Sequence, residues 1–260
     1  MNKKKIALVC VAKEEDYYLQ EWIDYHLMLG FDDIHIFQND WRFKNPIPNE
    51  RVHFHEWDVK TVENDTPIWE RNLQAKCYTD FSKNYHNQYE WAAFFDVDEF
   101  LVLKEYSDVR QFIENYSDYK CLIINWALFG DNGITEFDGV NTSVIERFTK
   151  RWNSAHTEGY YQFKSICKLN KDMVHNTHWA ECDWIDPNFN IGNDAFNYSF
   201  SFEKAQLNHY YTKTYPEWVN KASKTRCDTG KFSLPVDAFN HNNYNDVDDY
   251  YALNFFKNKK

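Results

Sequence analysis

Apolar residues fall along this chain in blocks that read in turn as strand and helix. Ile6-Ala7-Leu8-Val9-Cys10-Val11-Ala12 is an unbroken apolar run, the mark of a strand buried on both faces. Over residues 17–29, Leu19, Trp22, Ile23, His26, Leu27 and Leu29 recur at helical spacing, and Gly30 closes the segment. Ile34-His35-Ile36-Phe37 predicts a second strand, ending at Gln38-Asn39-Asp40. Val52 to Trp57 alternates and predicts a third. A helix from about Pro67 to Asn84 follows, with proline in its first turn. Trp91-Ala92-Ala93-Phe94-Phe95 is the next strand. The order β-α-β-β-α-β predicts the nucleotide-binding half of an α/β protein.

Beyond Asp98 the pattern loosens. Val109–Tyr116 reads as a short helix, and Cys121–Trp126 as a strand leading to a turn at Phe129-Gly130-Asp131-Asn132-Gly133. Val144–Phe148 and Phe163–Leu169 read as short strands or strand–helix junctions. Residues 183–199 read as a polar loop, and Tyr215–Ser223 as a helix. There is no repeat and no low-complexity linker, so the expectation is one domain over 1–260 with a mixed sheet in its second part and C-terminal helices.

Composition narrows the function classes. A net charge of −11 excludes a nucleic-acid scaffold. Aromatic residues make up 19% of the chain, which exceeds ordinary usage; a bulky core accounts for most, and sugar-stacking surfaces for a share. The six cysteines (Cys10, Cys77, Cys121, Cys167, Cys182, Cys227) form no C-x-x-C pair and predict free thiols in a reducing compartment. The basic start and the seven-residue apolar run that follows break off at Lys13-Glu14-Glu15-Asp16, too short for an export signal. A cytoplasmic protein is expected. Aromatic residues beside lysines over 250–260 suit peripheral contact with a membrane face, or equally a packed terminal helix.

The chemistry concentrates at Asp96-Val97-Asp98-Glu99, directly after the Trp91–Phe95 strand. Ligands of open α/β sheets bind at the carboxyl ends of strands. Two carboxylates two residues apart aim the same way there and suit Mg2+ or Mn2+. Such a cation clamps a diphosphate, so the motif reads as a DxD site for a nucleotide sugar. The chain carries its own control. Asp246-Val247-Asp248-Asp249 follows a polar stretch with no strand and reads as a turn or helix start.

Seven blocks in order give the chain a resemblance to glycosyltransferase family 92 and the related bacterial glycosyltransferase-2-like proteins of the GT-A fold. They are Ala12-Lys13-Glu14-Glu15, Leu19–His26, Phe95–Leu101, Ile124–Gly130, Glu146-Arg147-Phe148, Phe163-Lys164-Ser165 and Leu207–Lys213. The resemblance implies a single GT-A-type domain with a Rossmann-like nucleotide-sugar-binding half over 1–103 and an acceptor-binding half with the C-terminal segment over 104–260. It implies transfer of a hexose, galactose or glucose foremost, from a UDP-sugar to an oligosaccharide or lipid-linked glycan. Surface polysaccharide assembly on the cytoplasmic side of the membrane, in capsule or lipopolysaccharide, follows by the same analogy. Asp96 and Asp98 match the metal and diphosphate motif, and His209 the late histidine that completes the metal's ligands. Lys13 and Glu15 match the turn after the first strand, where family members carry Lys-Asn-Glu or Arg-Asn-Glu; Glu14 stands here in place of that Asn. Asn39 and Asp40 match the region that meets the nucleoside. Lys213 lies four residues past His209, in reach of a phosphate oxygen.

The resemblance further implies an inverting displacement, which needs a carboxylate base. Asp131, Glu181 and Asp183 are the candidates, and the sequence does not choose among them. His175, His178 and Cys182 fit no standard zinc spacing. Two rivals stand beside the transferase reading: a carbohydrate-binding GT-A protein without turnover, and a metal-dependent nucleotidyltransferase or phosphohydrolase. The second needs a glycine-rich phosphate loop, and a chain with seven glycines offers none.

Overall fold

A computed structural model describes residues 5–44, 48–58, 72–153, 161–182, 184–187, 190–192, 197, 201–224 and 235–259. Pro67, Asp183 and Cys227 lie outside the described residues. In chain order the elements are β1 (Ile6–Ala12), α1 (Leu19–Met28), β2 (Asp33–Gln38), β3 (Val52–Glu56), α2 (Leu73–Tyr85), β4 (Trp91–Phe94), β5 (Glu99–Leu103) and α3 (Val109–Glu114). Then come β6 (Cys121–Leu128), α4 (Val144–Arg147), β7 (Lys150–Arg151), β8 (Phe163–Lys168), β9 (Trp184–Asp186), β10 (Asn190–Gly192) and β11 (Ala205–His209). The chain continues with α5 (Tyr215–Ser223), a 3-10 turn (Val236–Ala238), α6 (Phe239–Asn242), β12 (Val247–Asp248) and α7 (Tyr251–Lys259).

The result is the mixed α/β fold that the pattern predicts. Strands run β10-β9-β6-β8-β4-β1-β2-β3 across the main sheet. β1 is parallel to both β2 and β4, and β2 to β3, while β8 is antiparallel to β4 and β6. β1 is apolar throughout because its two faces serve two cores. Ile6, Leu8 and Cys10 pack with Trp22, Phe31 and Phe95; Ala7, Val9 and Val11 pack with Cys77, Tyr78, Phe81 and Phe94. The chain leaves β1 toward β2 and β3, then returns on the other side of β1 as β4. That reversal opens a crevice beyond the carboxyl ends of β1 and β4.

Four elements, in three stretches, depart from the sequence reading. A strand, β5, begins at Glu99 directly after the Asp96–Asp98 turn and pairs antiparallel with β11, which runs parallel to β6 on its other side. Val144–Arg147 is a helix, with the Ser143 side chain accepting from the Glu146 N–H. The expected polar loop at 183–199 contains β9 and β10, antiparallel to each other. Among the described residues no helix is long and apolar enough to cross a membrane. α7 buries Ala252 and Phe256, with Phe255 and Phe256 against Tyr25 of α1, so its apolar face is already packed.

The residues of α1 explain their own spacing. The Trp22 indole N–H donates to the Glu99 carbonyl at 2.8 Å, the Tyr25 hydroxyl to the Leu101 carbonyl at 2.9 Å, and the Leu101 N–H to His26 Nε2 at 3.4 Å. One helix face thus supplies the hydrogen bonds that the outer edge of β5 lacks. Burial pulls the His26 imidazole down to about 3, so it stays neutral and accepts.

Candidate active site

Asp96, Val97 and Asp98 form the tight turn between β4 and β5. The Glu99 N–H donates to the Asp96 carbonyl at 3.0 Å and the Glu99 carboxyl accepts from the Asp96 N–H at 2.8 Å. Burial pushes Glu99 well above the usual carboxylate range, so it closes this turn as a neutral acid. The Tyr210 N–H donates to the Asp98 carbonyl at 2.9 Å, fixing the turn to the end of β11. The chain therefore brings residues over a hundred positions apart onto one carboxylate.

Asp98 is the hub. Its Oδ1 lies 3.4 Å from His209 Nε2, and its Oδ2 lies 2.8 Å from Lys221 Nζ and 3.7 Å from Lys213 Nζ. Burial works against the charge of Asp98, but Lys221, His209 and Lys213 override it and hold the carboxyl well below its ordinary range. Burial pulls His209 and Lys213 down. His209 packs edge-on against Trp126 at 4.3 Å and Tyr211 at 5.0 Å, and Lys221 sits 4.1 Å over the Tyr211 ring.

Asp96 faces a different set. Its Oδ2 accepts from Lys164 Nζ at 2.8 Å, and its Oδ1 accepts from the Gln74 amide. Lys164 comes from β8 and is wholly buried, donating also to the Thr177 carbonyl at 3.3 Å. Burial alone would pull Lys164 down; the charge of Asp96 and its hydrogen bond more than offset it and keep the ammonium charged.

The remaining expected residues follow the strands at the sheet's carboxyl edge. Lys13 and Glu15 follow β1, and burial pushes Glu15 up to about 7 against the pull of Lys213. Asn39 and Asp40 follow β2; the Asn39 side chain donates to the Trp57 carbonyl at 2.9 Å, and the Asp40 N–H to Asp58 at 2.9 Å. Glu14, Asp40 and Lys213 each hold a left-handed backbone, φ 55°, 49° and 55°. Non-glycine residues seldom adopt it, and such strain gathers at functional sites. The corner carrying Lys213 and Lys221 is locked by Glu217, which accepts two bonds of 2.8 Å from Arg147 and one of 2.7 Å from Tyr18.

The two base candidates sit differently. Asp131 is tied into its turn: its Oδ1 accepts from the Gly133 N–H at 2.8 Å and the Asn245 amide at 3.0 Å. Glu181 is exposed, on the segment that carries Thr177 and His178. His178 Nδ1 lies 3.0 Å from the Phe163 carbonyl, and His175 is buried against Ser82 at 2.7 Å. Those two histidines thus serve different places, in line with the poor zinc spacing. Lys164, Lys221 and Gln74 were missed from sequence. Lys164 did leave a signal: a lysine inside the buried run Phe163–Cys167 demands a counter-ion.

Whether a divalent cation suits these residues is answered by the hub. The 3.4 Å between Asp98 Oδ1 and His209 Nε2 is long for a charge-assisted hydrogen bond. His209 Nδ1 is buried with no partner among the described residues, so nothing there fixes the ring's tautomer. One carboxylate and one imidazole suit Mn2+. Asp96 and Asp98 each have both oxygens engaged, and among the described residues no group of three or more ligating side chains is arranged to hold a metal. Asp98 and His209 are the residues that would hold such a cation, with Lys221 and Lys213 now on the same carboxylate.

The mixed α/β sheet with an acidic turn at its switch point matches a GT-A-like architecture. The chain belongs to glycosyltransferase family 92, whose sequence profile matches residues 47–246. No functionally curated protein matches it in sequence. Among solved structures, the mannosyltransferase Ktr4p from S. cerevisiae aligns at 16% identity and a TM-score of 0.31, over 50% of this chain and 41% of the yeast chain. A second structure of that enzyme, in complex with GDP, aligns at 14% identity and a TM-score of 0.31, over 50% and 42%. This chain thus spans well under half of the yeast enzyme's length, and a likeness that distant carries no argument here.

Proposed function

We propose that the protein moves a hexose from a UDP-sugar to a glycan acceptor with inversion, using Mn2+ or Mg2+. The observation that carries this reading is the hub: Asp98 at the sheet's switch point, touching His209 and flanked by Lys213 and Lys221. Asp98 and His209 hold the cation, which when bound neutralises charge growing on the departing diphosphate. Lys213 and Lys221 shift from Asp98 to the diphosphate oxygens as donor enters. Asp96 acts by placement, keeping Lys164 and Gln74 under the turn. Lys13, Glu15, Asn39 and Asp40 border the donor at the ends of β1 and β2. Glu181, exposed on the His178 segment, takes the acceptor's proton in preference to the turn-bound Asp131. By family analogy the product is a surface polysaccharide, assembled on the cytoplasmic side.

Calorimetry and thermal shift with UDP-galactose and UDP-glucose, with Mn2+ and with chelator, test the proposal. A donor should raise the melting temperature by mass action, and chelator should remove most of the rise. Equal affinity without metal overturns the role of Asp98 and His209 toward the cation. Turnover that needs no acceptor favours a phosphohydrolase, and donor binding without any turnover favours a sugar-binding protein.

A further inference from the structure

Three thiols meet where β6 begins, level with the start of β4, and Cys182 is the residue next to Glu181. Cys121 opens β6 and Cys167 lies directly opposite it on antiparallel β8, next to Ala92 in the first half of β4. The Lys168 N–H donates to the Lys120 carbonyl at 2.8 Å, which makes Cys121 and Cys167 a non-hydrogen-bonded pair of the ladder. Such pairs hold their Cα atoms about 4.5 Å apart, inside the range a disulfide spans. The two Sγ atoms are 3.1 Å apart. Both residues are fully buried, so no oxidant reaches them directly. Cys182 is only partly buried, and its thiol lies within hydrogen-bonding reach of Cys121.

We propose that Cys121, Cys167 and Cys182 form an oxidation site in which Cys182 receives a disulfide from solvent and passes it inward to the cross-strand Cys121–Cys167 pair. A low-molecular-weight disulfide such as oxidised glutathione is the oxidant. The Cys182 thiolate attacks one of its sulfurs, forming a mixed disulfide and releasing one glutathione thiol. Cys121 gives up its proton and attacks Cys182 Sγ, releasing the second thiol. Cys167 then gives up its proton and attacks Cys121 Sγ, restoring the Cys182 thiol. Two protein thiols are oxidised, and one glutathione disulfide is reduced to two thiols. Hydrogen bonding to Cys167 and Cys182, together with burial, pushes the Cys121 thiol well up. The inward step is therefore slow, and the pair oxidises in proportion to sustained exposure rather than to a brief pulse. The bond ties β6 to β8, the strands that present Trp126 and Lys164 to the transfer site.

The test is incubation of the native protein with oxidised glutathione, alkylation, digestion without reductant and mass mapping. The expected product is a Cys121–Cys167 linked peptide, with Cys10 and Cys77 alkylated and the melting temperature raised by about 5 °C or more. Cys182→Ser should slow formation of that peptide at least about tenfold under the same conditions. Absence of the linked peptide, or a Cys121–Cys182 bond that never passes to Cys167, overturns the cross-strand site. A Cys182→Ser protein that oxidises at the wild-type rate overturns the relay.

Discussion

The chain contains Asp-Val-Asp twice, and the two copies are used in opposite ways. Asp96 and Asp98 end a buried parallel strand at the sheet's switch point and collect Lys164, Lys213, Lys221 and His209 from three later parts of the chain. In the second copy, Asp246 accepts from the Asn153 N–H at 3.0 Å, Asp248 is exposed, and the neighbouring Asp249 is buried against Arg151 at 2.7 Å and Gln206 at 2.9 Å. Where a turn or helix start was expected, Val247 and Asp248 form β12 against β7, and Asp249 accepts from the Tyr251 N–H at 3.2 Å just before α7. The first copy gathers three ammonium groups and an imidazole, and in the proposed reading a diphosphate would draw Lys213 and Lys221 from it. The second spends its carboxylates on backbone and a guanidinium that have no other task. A motif's partners, and not its letters, decide between chemistry and architecture.

The sharpest way to break this comparison is to neutralise each copy. Asp98→Asn should cut transfer per folded molecule by about a hundred- to a thousandfold and also lower the melting temperature, since it leaves Lys221 and Lys213 without their counter-ion, while Asp248→Asn leaves both unchanged. Kinetics and calorimetric melting on both proteins check this, and a reversed pattern places the site elsewhere. Asp249→Asn should lower stability alone. It leaves Arg151 short of its counter-ion, costing about 2–4 kcal/mol and roughly 5–10 °C in melting temperature, with activity per folded molecule retained. Lys221→Met should weaken UDP binding about ten- to a hundredfold in a calorimetric titration, whereas Arg151→Met leaves UDP affinity alone.

The smallest effect concerns backbone strain. Near the second copy the left-handed position is taken by Asn132, φ 55°, a residue type that tolerates it; near the first it falls to Glu14. Glu14→Asn should therefore stabilise the fold by about 0.5–1 kcal/mol, read as a small rise in denaturant midpoint. No change would show that losing the Lys224 contact with the Glu14 carboxylate, 3.7 Å, offsets the relief of strain.

Much of this was legible in the sequence. Unbroken apolar runs gave β1 and β4, helical spacing gave α1, and the carboxylates fell where the apolar run stopped. β9 and β10 were hidden because polar residues flank Trp184 and Ile185 on both sides. β5 was hidden because only a four-residue turn separates it from β4, so two strands read as one run with an acidic interruption. At the site, Asp98 with His209 came from the resemblance. Lys221 could not be found because its approach to Asp98 depends on how Arg147 and Glu217 fix the rotation of α5. Lys164 could have been found by asking what balances a charge inside a strand.

The pairing of β5 with β11 has a consequence for how the molecule comes into being. The acidic turn is held on one side by α1, which the ribosome delivers early, and on the other by β11, delivered more than a hundred residues later. Loop closure of that span must be met before Asp98 acquires any of its cationic neighbours. A nascent chain can thus complete β1 to β4 and still present Asp98 without a partner from β11 or α5. In the proposed reading, donor binding therefore requires synthesis through α5, since β11 and α5 supply the groups that would touch a diphosphate.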